Sequence, residues 1–75
     1  MAIEMPTPQI LQFFRYEHLP QHLQAISKPV AILADEMVAS IGTSQASIAE
    51  LTAGLRKLLE AKDCFVRAAL VSATR

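Results

Sequence analysis

The sequence predicts an all-α fold: a short N-terminal helix plus an antiparallel helical hairpin with a proline kink, assembled into a homo-oligomer. Two observations predict the hairpin. Apolar residues recur at spacings of three and four in two long stretches, with no sustained alternation of period two. One of the two glycines, Gly42, falls between those stretches. A third predicts the assembly: in 75 residues, 52% are hydrophobic and 19% charged, more apolar surface than a lone hairpin can hide. Residues 1–75 read as a single domain, without internal repeat or linker.

Each element has a local reason. Thr7-Pro8 reads as an N-cap followed by proline at the first helical position, where a missing N–H costs nothing. Ile10, Leu11, Phe13 and Phe14 follow in a short helix ending near Tyr16. Pro20 disfavours helical geometry at Leu19 and can start the second helix, which should run to Ile41. Leu23, Ile26, Val30, Leu33 and Met37 step along one face of it. Pro29 lies inside, so a kink is expected near Ala25–Pro29.

Gly42-Thr43-Ser44 is a helix stop followed by polar turn residues. Ser47-Ile48-Ala49-Glu50 matches a capping box, with Ser44 as a competing earlier cap. The third helix should reach about Ser72, with Leu51, Leu55, Leu58, Phe65 and Ala69 in one stripe, widened by Leu59, Val66 and Leu70. That stripe is broader than one partner helix can bury.

Charge excludes several functions. Seven basic residues balance seven acidic ones, so bulk charge predicts no DNA, RNA or membrane partner. No run is long and apolar enough for a membrane span. Met1 to Leu11 has no basic start and carries Glu4, Pro6 and Pro8, so it does not read as a signal peptide. The single cysteine, Cys64, cannot form an internal disulfide and fits a reducing cytoplasm.

The chemistry-bearing residues point away from catalysis and metal. His18 and His22 are four apart, but Pro20 interrupts them and nothing completes a zinc set. Glu17-His18 is a common dipeptide, and neighbours do not face each other on a helix. Cys64 beside Asp63 lacks the electropositive setting of a reactive cysteine and reads as half-buried packing. The chain shows no nucleophile elbow or glycine-rich phosphate loop. No enzyme activity and no cofactor are expected.

Tyr16 is the better ligand candidate, with a polar tip at a helix end beside a break, whereas Phe13 or Phe14 should staple onto the hairpin. Lys28 sits just before Pro29, where irregular backbone can re-aim a side chain, although a surface lysine is the default. Lys62, three before Phe65, lies close to the apolar stripe; it reaches the rim or faces an oligomer cavity. Arg56 pairing with Glu60 across one turn would account for much of the positive charge on the third helix.

Phe14-Arg15-Tyr16-Glu17-His18-Leu19-Pro20, followed by His22 to Pro29 (H-L-Q-A-I-S-K-P), and later Leu55 to Asp63 (L-R-K-L-L-E-A-K-D) with Val66-Arg67-Ala68, resemble the small phage anti-CBASS sponge proteins. Their helical hairpin is shared with part of some anti-Thoeris sponges. The resemblance covers about residues 10 to 70. It implies a non-catalytic homohexamer, in the cytoplasm of the infected bacterial host, that sequesters cyclic nucleotide second messengers. Cyclic dinucleotides of the cyclic GMP–AMP type would sit between paired protomers, and cyclic trinucleotides in a separate pocket where three protomers meet. By the same resemblance Tyr16 would stack on a base, Ser27 or Lys28 would contact phosphate, and Arg56 and Arg67 would belong to the second pocket. Many members carry a basic residue shortly before the L-R-K-L-L segment. This chain has Glu50-Leu51-Thr52 there, which weighs against trinucleotides more than dinucleotides.

The alternative is a helical oligomerisation or adaptor module with no small-molecule ligand, which the composition by itself favours. A small DNA-binding regulator is weaker, because no helix carries a clustered basic face and the pI is about 6.7.

Overall fold

The computed structural model describes residues 9–73. The cap expected at Thr7-Pro8 lies outside them. A 3-10 helix, η1, spans Gln9–Phe14; two α-helices follow, α1 at Gln21–Ile41 and α2 at Ile48–Ala73. The described residues contain no strand. The long helices pack against each other as a hairpin, and η1 contacts both. The first element is therefore the tighter 3-10 form and stops at Phe14, two residues before the expected end. Short 3-10 pieces serve as connectors, and this one seats Phe14 on the helix pair.

Pro20 occupies the N-cap of α1 with φ −56° and ψ 153° and offers no side-chain cap. Its carbonyl accepts from the amides of Leu23 (2.9 Å) and Gln24 (3.0 Å), which starts the helix. Pro29 lies inside α1. At the other end Gly42 adopts φ 85° and ψ 169°, and its amide donates to the Val38 carbonyl at 2.9 Å. That backbone region is nearly exclusive to glycine, so the turn needs this residue.

The start of α2 corrects the capping-box expectation. The Ser47 hydroxyl does not cap a free helix amide. It donates back to the Gly42 carbonyl at 3.1 Å and lies 3.0 Å from the Ser44 hydroxyl. The Ser47 amide, which Glu50 would have engaged, donates to the Ser44 carbonyl at 3.1 Å instead. The preceding turn has already satisfied the group a capping box exists to serve.

The core consists of Phe14, Ala31, Ala34, Leu51 and Leu55, flanked by half-buried Leu11, Tyr16, Val30, Leu58 and Leu59. Here the helical face differs from the expected one. The buried positions of α1 are Leu23, Ser27, Ala31 and Ala34, whereas Leu33 and Met37 are exposed. The face is rotated toward small side chains because these let α2 and η1 approach closely: Ala34 is 0% exposed and its neighbour Leu55 2%. On α2, Leu51 and Leu55 are buried as expected, but Phe65 is 56% exposed and Leu70 is also exposed. No helix among the described residues is long and apolar enough to cross a membrane.

Two glycine substitutions separate backbone strain from packing. A Cβ at Gly42 or Gly54 meets nothing within 4 Å. Gly42→Ala should cost ~1–3 kcal/mol through backbone strain alone. Gly54→Ala, on the exposed side of α2, should add ~0.5–1 kcal/mol of stability. Urea unfolding of both variants checks the two signs.

Candidate functional site

The segment between η1 and α1 is held in one shape by hydrogen bonds from the start of α1. The Leu19 amide donates to the Tyr16 carbonyl at 3.0 Å and closes a turn. The Gln24 side-chain amide then reaches back and donates to the Leu19 carbonyl at 2.8 Å and, more weakly, to that of Glu17 at 3.4 Å. One glutamine thus anchors the chain on both sides of His18. Nothing in the sequence distinguished Gln24 from the other glutamines, because its role depends on a turn formed by residues up to seven positions earlier.

This loop and α1 enclose a small open cleft of about 110 Å³, lined by Leu11, Phe14, Arg15, Tyr16, Glu17, Ala31 and Asp35. Phe14 is its floor at 3% exposure, while Phe13, next in the chain, is 57% exposed and turns away. The expectation that one phenylalanine staples the first element to the hairpin is met by Phe14. Tyr16 is half-buried: it packs against the core yet borders the cleft. Glu17 Oε1 accepts the Tyr16 amide at 3.3 Å. Arg15, Glu17 and Asp35 bring one positive and two negative charges to the same small space. Among the described residues the ion pair is Lys62–Asp63, so these three are not locked against one another.

The sequence-predicted site residues divide into two groups. Lys28 is exposed on α1, three positions before Ala31 and seven before Asp35. Helical spacing therefore places it on the cleft-lining face, one turn toward the helix start. Ser27 points elsewhere. It is 0% exposed, and its hydroxyl has no hydrogen-bond partner. Of the two residues considered for phosphate contact, only Lys28 is presented to a ligand by the single chain; Ser27 belongs to the packed face with Ala31 and Ala34. Arg56 and Arg67 are exposed on α2, eleven positions apart and thus on one face, and neither lines the Tyr16 cleft. Glu60 and Asp63 lie between them on that face.

Two further expectations need adjusting. Cys64 is exposed instead of half-buried, and Arg67 Nη2 donates to its sulfur at 3.3 Å. The Arg56–Glu60 pair is not formed; Lys62, with its side chain only 13% exposed, contacts Asp63 at 3.1 Å. Between adjacent residues, with the Asp63 side chain 46% exposed, such a pair contributes little. His18 and His22 are exposed, and among the described residues no group of three or more His, Cys, Asp or Glu is placed to hold a metal ion.

Arg15, Glu17 and Asp35 are the cleft residues that the sequence alone did not single out. Arg15 and Glu17 flank Tyr16 in the chain, but the approach of Asp35 depends on η1 packing across α1. Removing the Gln24 anchor in Gln24→Ala should loosen the loop by about 0.5–1.5 kcal/mol. Hydrogen exchange should then show the Leu19 amide exchanging about two- to tenfold faster, with the middle of α2 unchanged. Compared with known proteins, the chain matches no family model, no curated protein and no solved structure.

Proposed function

We propose that this chain is a non-catalytic sponge that binds cyclic dinucleotides of the cyclic GMP–AMP type between paired copies and so blocks CBASS-type antiphage immunity. The observation that carries the reading is the cleft beside Tyr16: a half-buried ring held at its edge by an anchored loop, with Arg15 on the rim and Lys28 one helical turn away. A cyclic dinucleotide has two bases and two phosphates related by a near two-fold axis. A two-fold pair of protomers presents each contact twice. One Tyr16 per copy stacks on each base, at ~1–3 kcal/mol per base. One Lys28 per copy meets each phosphate by charge-assisted hydrogen bonds.

Two further features support an assembled site. The cleft, at about 110 Å³, is well below the ~300 Å³ at which small-molecule pockets usually begin, as expected of half a site. Leu33, Met37 and Ile41 follow one another at four-residue spacing on α1, all exposed, and Phe65 and Leu70 are exposed on α2. Such surface is what a homohexamer or a smaller assembly covers. A bend at Pro29, inside α1, would set the angle at which Lys28 meets the paired copy. The trinucleotide role of Arg56 and Arg67 has less support, since Glu60 and Asp63 offset their charge on the same face.

A helical oligomerisation module without a small ligand is the second reading. The same exposed apolar residues favour it, and so do the two carboxylates in the cleft. A thermal-shift titration separates the two. A cyclic dinucleotide at one hundred times its Kd should stabilise the folded protein by about 2.7 kcal/mol, visible as a rise in Tm. Tyr16→Ala should bind about ten- to a hundredfold more weakly with the assembly size unchanged. No Tm shift across a panel of cyclic di- and trinucleotides would leave the oligomerisation module standing.

A further inference from the structure

We propose that Glu17 and Asp35 make the Tyr16 cleft selective for cyclic nucleotides by repelling any nucleotide that brings a terminal phosphate beside its base. The inference rests on the reading of this cleft as half of a cyclic-dinucleotide site and adds what that site must reject. A stacked ring is sequence-tolerant, because every base has a π-face. A platform built from Tyr16 alone would therefore accept mononucleotides and linear dinucleotides, which share those bases. Lys28 and Arg15 make the problem worse, since a cation draws a terminal phosphate more strongly than a diester. A terminal phosphate carries about −1.5 to −2 charges at pH 7; the phosphodiesters of a cyclic dinucleotide carry one each and have no terminus.

The two carboxylates are placed to make the distinction. Both border the same 110 Å³ cleft as the ring, and among the described residues neither is neutralised by an ion pair. Glu17 Oε1 accepts the Tyr16 amide at 3.3 Å, which places its charge beside the residue that carries the ring. Asp35 faces it from α1, one turn beyond Ala31 and two turns from Lys28. The cation and the carboxylate thus lie at opposite ends of one helical face. A cyclic ligand can keep its phosphates at the Lys28 end while its base lies over Tyr16. A linear nucleotide has a further, doubly charged group to accommodate, and in so small a cleft it falls within reach of Glu17 or Asp35. Like charges brought into one cleft repel, and specificity arises from the partner rejected as much as from the one accepted.

Calorimetric titration with a matched pair of probes tests this. Cyclic di-AMP and the linear 5′-phosphorylated di-adenylate pApA carry the same two bases and differ in ring closure and terminal charge. The wild-type protein should favour cyclic di-AMP over pApA by at least about tenfold. The double variant Glu17→Gln/Asp35→Asn should gain about five- to tenfold more affinity for pApA than for cyclic di-AMP, so that the wild-type preference narrows by that factor. Asp35→Asn alone should show part of the same gain, and raising the salt concentration should narrow the wild-type preference. Equal gains for both probes, or an unchanged preference in both variants, would overturn the selectivity role while leaving the sponge reading in place. Failure of the wild-type protein to bind any cyclic dinucleotide would instead remove the sponge reading, and this inference with it.

Discussion

The close contact of three small residues on α1 with the large ones opposite governs this molecule. Ser27, Ala31 and Ala34 are buried on one face of α1, and Ala31 and Ala34 form the core there with Leu51 and Leu55 from α2 and Phe14 from η1. Burial and dispersion between these side chains reward the fit. The arrangement has a consequence elsewhere. A helix turned to offer its small residues inward must turn larger ones away, and Leu33, Met37 and Ile41 are left facing outward. Stability of the hairpin and stickiness of its surface are two results of one rotation about the α1 axis.

That rotation also builds the cleft. Bringing Ala31 against Phe14 places Asp35, one turn on, beside the loop that carries Arg15, Tyr16 and Glu17. The loop keeps its shape because Gln24 holds it by its carbonyls. A ring on a restrained loop loses less freedom on binding than one on a mobile loop, which suits a protein whose proposed task is retention without turnover. Among the described residues Ser27 is discordant: its hydroxyl is buried without a partner, an arrangement that ordinarily costs ~1–3 kcal/mol.

How much of this could be read from the sequence depended on the range of the interaction. The glycine stop at Gly42, which ends α1, and the start of α1 after Pro20 follow from local backbone chemistry, and they stand as expected. Hydrophobic periodicity was a poorer guide to orientation. It drew the α1 face through Leu33 and Met37, because a periodicity argument weights bulk, whereas the fold selected for closeness. The capping box failed for a related reason, as the turn had already engaged the Ser47 amide. At the candidate cleft, Tyr16 was legible as an aromatic next to a break in regular structure, whereas Lys28, singled out beside Pro29, lies within an unbroken α1 and one turn from the cleft lining. Asp35 was not legible, since nothing local links it to a tyrosine nineteen positions earlier. Gln24 was invisible for the same reason.

The proposed assembly requires further copies of the chain to cover the outward apolar face of α1. Sedimentation velocity across a hundredfold range of concentration, from the low micromolar upward, tests this most directly. A single assembled species larger than a monomer, with its helical content intact, is expected across that range, and dilution below it should dissociate and unfold the protein together. A well-folded monomer that persists at every concentration would contradict the proposed assembly.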